Sequence, residues 1–136
     1  MKRTAKCLCG QLQITVQDDP AISMACNCTN CQRRTGSAFG ALTYFRNNQV
    51  VEISGEAQGF SFEVDSGNTN TTCFCPHCGS TVFFKADLFP GMTGVAAGCF
   101  NDPNLPEPTF NVWTQSKYKW MNLPEHWHAM ERQMPS

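Results

Sequence analysis

Apolar and polar residues alternate along much of this chain, a period of two that sends successive side chains to opposite faces of a strand. Leu12, Ile14 and Val16 alternate with Gln13 and Thr15, and Phe60, Phe62 and Val64 with Ser61 and Glu63. Further strands are predicted at residues 38–46, 49–54, 71–74, 81–85, 93–97 and 110–114, all rich in β-branched and aromatic residues and bounded by turn formers. Asn47-Asn48 suits a tight hairpin turn, 65–70 a polar loop, and 101–108, with three prolines, a surface connection. Helical periodicity is scarce: one short turn is predicted after Cys31 and another near 125–133, behind Pro124. The pattern predicts a mainly β fold.

Composition narrows the class. A chain of 136 residues, 41% hydrophobic and 15% charged, is expected to form one globular domain over 1–136. Ten Lys and Arg against eleven Asp and Glu give a formal charge of −1, which makes nucleic acid a poor partner. No apolar run of signal-peptide or membrane-span length follows the basic start Met1-Lys2-Arg3, so a cytoplasmic, reducing location is expected, with thiols free for metal.

Seven of the nine cysteines fall into three clusters: Cys7-Leu8-Cys9-Gly10, Cys26-Asn27-Cys28-Thr29-Asn30-Cys31 and Cys75-Pro76-His77-Cys78-Gly79. Thiolates gathered by short loops are a usual way of holding zinc. On a strand Cys7 and Cys9 would present both sulfurs to one side, and the knuckle Cys75-Pro76-His77-Cys78-Gly79 supplies two more. Together they make a closed four-sulfur site that is expected to be structural. Cys26, Cys28 and Cys31 supply only three sulfurs: either they hold a metal that keeps a position for water or a soft sulfur ligand, or a further cysteine closes the site, or the three hold no metal. Loaded with two zinc ions on seven thiolates, the chain would be more acidic by about three charges.

Other residues carry two readings each. Arg33 and Arg34 either balance the middle cluster and bind a substrate carboxylate, or form a solvated pair. Cys73 and Cys99 are read as buried thiols, as a fourth ligand that closes the middle site, or as nucleophiles. His77 is expected to point to solvent, and His126-Trp127-His128 to belong to a tail rather than a lid.

The motifs Cys7-x-Cys9-Gly10, Cys26-x-Cys28-x-x-Cys31 followed by Arg33 and Gly36-Ser37, Phe74-Cys75-Pro76-x-Cys78-Gly79-Ser80, Ala97-Gly98 and Asp102-Pro103 resemble the glutathione-dependent formaldehyde-activating enzymes, or centromere-protein-V-like (GFA) family. The resemblance covers nearly the whole chain. It implies an Mss4-like β-tent of stacked antiparallel sheets, a structural zinc on Cys7, Cys9, Cys75 and Cys78, and a catalytic zinc on Cys26, Cys28 and Cys31. It also implies carbon–sulfur lyase chemistry that joins a glutathione-like thiol to an aldehyde, as in S-(hydroxymethyl)glutathione synthase. The chain has Asn111 ahead of Val112 and Trp113 where the family usually carries a histidine. The same fold also serves as a zinc-stabilised protein-interaction module, and it resembles thiol oxidoreductases, a role that would fall here to Cys73 or Cys99.

Overall fold

The computed structural model describes residues 1–133. Strands β1 (Lys2–Lys6) and β2 (Gln13–Gln17) pair antiparallel, and β5 (Val50–Ser54) joins on the far side of β2 to complete a three-stranded sheet. The larger sheet contains β3 (Ile22–Cys26), β4 (Gly40–Arg46), β6 (Gln58–Glu63), β7 (Thr69–Phe74), β8 (Thr81–Ala86), β9 (Met92–Ala96), β10 (Phe110–Val112) and β11 (His128–Ala129). Its order is β11-β10-β3-β4-β9-β8-β7-β6. The pairings are antiparallel except at one end, where β10 runs parallel to both β3 and β11. One short helix, α1 (Thr29–Thr35), connects β3 to β4. The fold is mainly β with stacked antiparallel sheets, as the pattern and the resemblance predict.

The small sheet packs on one face of the large one. Ala5, Leu12, Ile14 and Val16 meet Phe45, Val82, Phe83, Val95 and Phe100 in one apolar cluster, with the rings of Phe45 and Phe100 edge to face at 5.9 Å. Each large side chain fully removed from water there contributes about 1.5–3 kcal/mol. The other face carries a second cluster of Met24, Leu42, Tyr44, Phe84 and Val112. Strand β4 is therefore buried on both sides, which is why Ala41-Leu42-Thr43-Tyr44-Phe45 reads as a nearly unbroken apolar run. Thr43 fits this environment by donating its hydroxyl to the Val95 carbonyl at 2.7 Å. Gly94 of β9 is obligatory here, because a Cβ would overlap the Phe84 ring.

Several sequence expectations are corrected. Asn47–Gln49 is a 3-10 turn that carries the chain from β4 in the large sheet to β5 in the small one, so it closes no hairpin. The alternation at Phe60 and Phe62 covers no core: β6 is an edge strand, Phe60 is 61% exposed, and the two rings stack at 5.9 Å. No helix forms at 125–133. Strand β10 has a free backbone edge there, and His128–Ala129 adds to it as β11. Besides β11, two strands appear where alternation predicts none. In β1 the inward positions are Ala5 and Arg3, whose guanidinium pairs with Asp19 at 3.1 Å and Asp102 at 3.5 Å. In β3 the cysteine spacing obscures an apolar stretch.

Candidate metal centres

The four thiols of Cys7, Cys9, Cys75 and Cys78 lie within 4.8 Å of one another. Cys7 and Cys9 sit on a turn rather than a strand, closed by bonds from Gly10 N to Cys7 O at 3.0 Å and from Cys7 N to Leu12 O at 3.0 Å. The second knuckle repeats this: Gly79 N donates to Cys75 O at 2.8 Å and Cys75 N to Ser80 O at 3.0 Å, with Gly10 at φ 84° and Gly79 at φ 82°. The positive φ lets backbone amides turn onto the sulfurs, a conformation that favours glycine. Leu12 N and His77 N reach Cys7 Sγ and Cys75 Sγ at 3.3 and 3.4 Å, and Gln11 Nε2 crosses to Cys75 Sγ at 3.0 Å. A hydrogen bond from Ser80, with backbone support, holds the Cys78 thiol down to about 5. Four sulfurs on a tetrahedral zinc with arms of about 2.3 Å stand about 3.8 Å apart. Here Cys7–Cys9 and Cys9–Cys75 are separated by 3.6 and 3.7 Å, so the donor set fits such an ion.

The second group is built from a strand end, a cap and a helix turn. Cys26 closes β3, Cys28 caps α1 and accepts from Cys31 N at 3.3 Å, and Cys31 follows one turn on. All three sulfurs lie within 4.8 Å of one another. Hydrogen bonds from Cys26 and Cys31 hold the Cys28 thiol low, at about 3, whereas bonding to Cys28 and Cys31, together with burial, holds Cys26 high. One thiolate forms readily and the last proton is retained, so full ionisation calls for a cation. The chemistry of this donor set also fits a metal.

Polar anchors behind the three thiols hold the loop in place. The fully buried Asn27, between two of the cysteines, donates to Asn111 Oδ1 at 2.7 Å and to the Val112 carbonyl at 2.8 Å. Gln32 donates to the Asn27 and Ser116 carbonyls, both at 3.0 Å. Asn111 therefore tethers the cysteine loop to β10 and stands behind it. Gly40, opposite Cys26 in the sheet, leaves room for two neighbours: a Cβ there would lie 2.8 Å from Arg34 Nη2 and 3.3 Å from Cys31 Cβ. Asn27, Gln32 and Gly40 carry no sequence signal, because their roles depend on register and on partners distant in the chain.

The three-cysteine group opens onto a cavity of about 720 Å³, within the range usual for small-molecule sites. Met24, Leu42, Tyr44 and Phe84 line it from the middle of the large sheet, Phe62 and Thr72 from one end, and Trp113 from the other. Side chains from both ends of one sheet share the cavity, so the sheet curls around it. Cys78 of the four-cysteine group borders a smaller cavity of about 460 Å³ shared with Arg34 and Cys99.

The two arginines separate. Arg34 is half-buried, lines the large cavity and lies over the Phe84 ring at 5.4 Å, while Arg33 is exposed and borders neither cavity. Consecutive helical residues point about 100° apart, so both cannot face the same space. Cys73 and Cys99 belong to neither sulfur group. Burial pushes both thiols up, opposite to what a nucleophile requires. His77 is exposed. His126 and Trp127 form no loose tail: both side chains reach the Glu107 carboxylate, at 3.2 and 3.0 Å.

No helix among the described residues is long and apolar enough to cross a membrane. The chain is similar in fold to a crystal structure of a Rhodobacter sphaeroides protein, a structural-genomics target, at 21% identity and a TM-score of 0.59, over 74% of this chain and 90% of that one. No curated protein matches the chain significantly. The family model for glutathione-dependent formaldehyde-activating enzyme matches residues 2–116, a span that holds all seven clustered cysteines, and the chain belongs to that family.

Proposed function

We propose that the protein is a zinc-dependent enzyme of the carbon–sulfur lyase type, joining a small glutathione-like thiol to an aldehyde at Cys26, Cys28 and Cys31. One observation carries this reading: the sulfur group that is one ligand short of a closed site is also the group that opens onto the large cavity. A closed interaction module has no need of that coincidence. Cys7, Cys9, Cys75 and Cys78 would hold a structural ion, joining knuckles distant in the chain.

When bound at the three thiolates, zinc supplies a position at which a substrate thiol is held as thiolate. The chain's own residues do the rest. Arg34 offers its guanidinium to a carboxylate of the thiol, and the Phe84 ring beneath keeps that group oriented. Substrate sulfur adds to the aldehyde carbon, the C–S bond forms, and the π pair of the carbonyl moves to oxygen, which takes up one proton to balance the one the thiol lost on becoming thiolate. Tyr44 lines the same cavity, and burial keeps its phenol protonated. Its hydroxyl would serve as a hydrogen-bond donor to that oxygen. The apolar lining of Met24, Leu42 and Phe84 limits water near the adduct.

Thiols add to formaldehyde unaided, so the test is a rate. Exchange between free and hydroxymethylated glutathione, followed by NMR, is expected to be faster with the zinc-loaded protein than without it. Tyr44→Phe is expected to slow the catalysed exchange about tenfold or more with little change in thiol affinity. Exchange at the uncatalysed rate, with the three-cysteine site occupied, would overturn the reading.

A further inference from the structure

Trp113, directly after β10, has φ 57° and ψ 41°, a left-handed conformation that bulky residues rarely adopt and that persists only where surroundings impose it. The surroundings here are the segment 128–133. Met130 N donates to Asn111 O at 2.9 Å, Trp113 N to Arg132 O at 3.1 Å, and the indole N–H to Gln133 Oε1 at 3.0 Å. The bonds of His126 and Trp127 to Glu107 fix the approach to this segment. The result is a strap that holds Trp113 at the cavity wall and lays the Arg132 guanidinium over its ring at 5.3 Å.

Arg132 lines the same cavity as the three thiols, and among the described residues no carboxylate lies within 4.0 Å of it. Held over the Trp113 face by a cation–π contact, the Arg132 guanidinium is positioned at the cavity, and its planar fork of N–H donors can receive a carboxylate bidentately. Glu63 and Asp65 line the cavity from the opposite end of the sheet, where an anionic group is repelled and an amine accepted.

We propose that this strap is a recognition element for the substrate: Arg132, braced by Trp113, binds a carboxylate of the thiol whose sulfur lies at Cys26, Cys28 and Cys31. The inference rests on the proposed thiol chemistry. It assigns specificity to a residue outside the stretch 2–116 that matches the family.

Calorimetric titration of the zinc-loaded protein with glutathione and with glutathione diethyl ester tests it. The wild type is expected to bind glutathione about a hundredfold more tightly than the diester, which forfeits the carboxylate contacts of both Arg34 and Arg132. Arg132→Gln is expected to lose about tenfold in glutathione affinity and to bind the diester unchanged, while Arg132→Lys, which keeps the charge but not the fork, recovers part of the loss. Wild-type affinity of Arg132→Gln for both ligands, or an equal loss for both, would overturn the strap's role and leave the thiol reading standing. Failure of the wild type to bind either thiol would overturn both.

Discussion

Cys78→Ser is expected to unfold the protein. Its sulfur is one of four that join a turn near the N-terminus to a knuckle almost seventy residues later, and with it goes a ligand of a site whose donors fit a tetrahedral ion. Binding energy at structural zinc sites is folding energy, about 10–16 kcal/mol in small zinc domains, against a whole-domain stability of about 5–15 kcal/mol. Losing a large part of it leaves little margin. Far-ultraviolet circular dichroism at 25 °C is expected to show loss of the β signal, or a melting transition lowered by tens of degrees. A melting temperature near that of the wild type would contradict a structural role for this group.

Cys28→Ser is expected to behave in the opposite way. The three-cysteine group joins a strand end to a short helix beside it, and the loop keeps its Asn27 and Gln32 anchors when one sulfur is changed. A serine hydroxyl also remains able to cap α1. The β fold should persist, with melting lowered by a few degrees, while the metal at this site is lost and catalysed thiol–aldehyde exchange falls about a hundredfold or more toward the background rate. Elemental analysis should find one ion in place of two. Equal collapse of Cys28→Ser and Cys78→Ser would contradict the division of labour between the two groups.

What could be read from the chain follows how local each determinant is. The cysteine clusters are visible because the ligands within each knuckle lie two to five residues apart, and most strands because alternation is a property of neighbours. Strand β1 escapes that test, since its buried Arg3 finds its partners at Asp19 and Asp102. The strand His128–Ala129 escapes because it forms on an edge left free by β10. The cavity is a tertiary object: Tyr44, Phe84 and Trp113 come from three separate strands or strand ends and carry no shared motif. The arginine pair is visible as a charge signal, but only the helix rotation shows that Arg34 faces the cavity and Arg33 does not. Asn111 is visible as a departure from the family pattern, yet its contact with Asn27 appears only once β10 lies beside β3.

The group formed by Cys26, Cys28 and Cys31 is expected to hold a metal with a position open to substrate sulfur. Cobalt substitution followed by titration with glutathione reports on that position. With the three-cysteine site shown to be occupied, the thiolate-to-cobalt charge-transfer absorption is predicted to intensify and saturate with thiol. The oxygen analogue of glutathione, with serine in place of cysteine, should leave it unchanged. A spectrum that does not respond to saturating glutathione would identify the site as closed to thiol and rule out sulfur binding there.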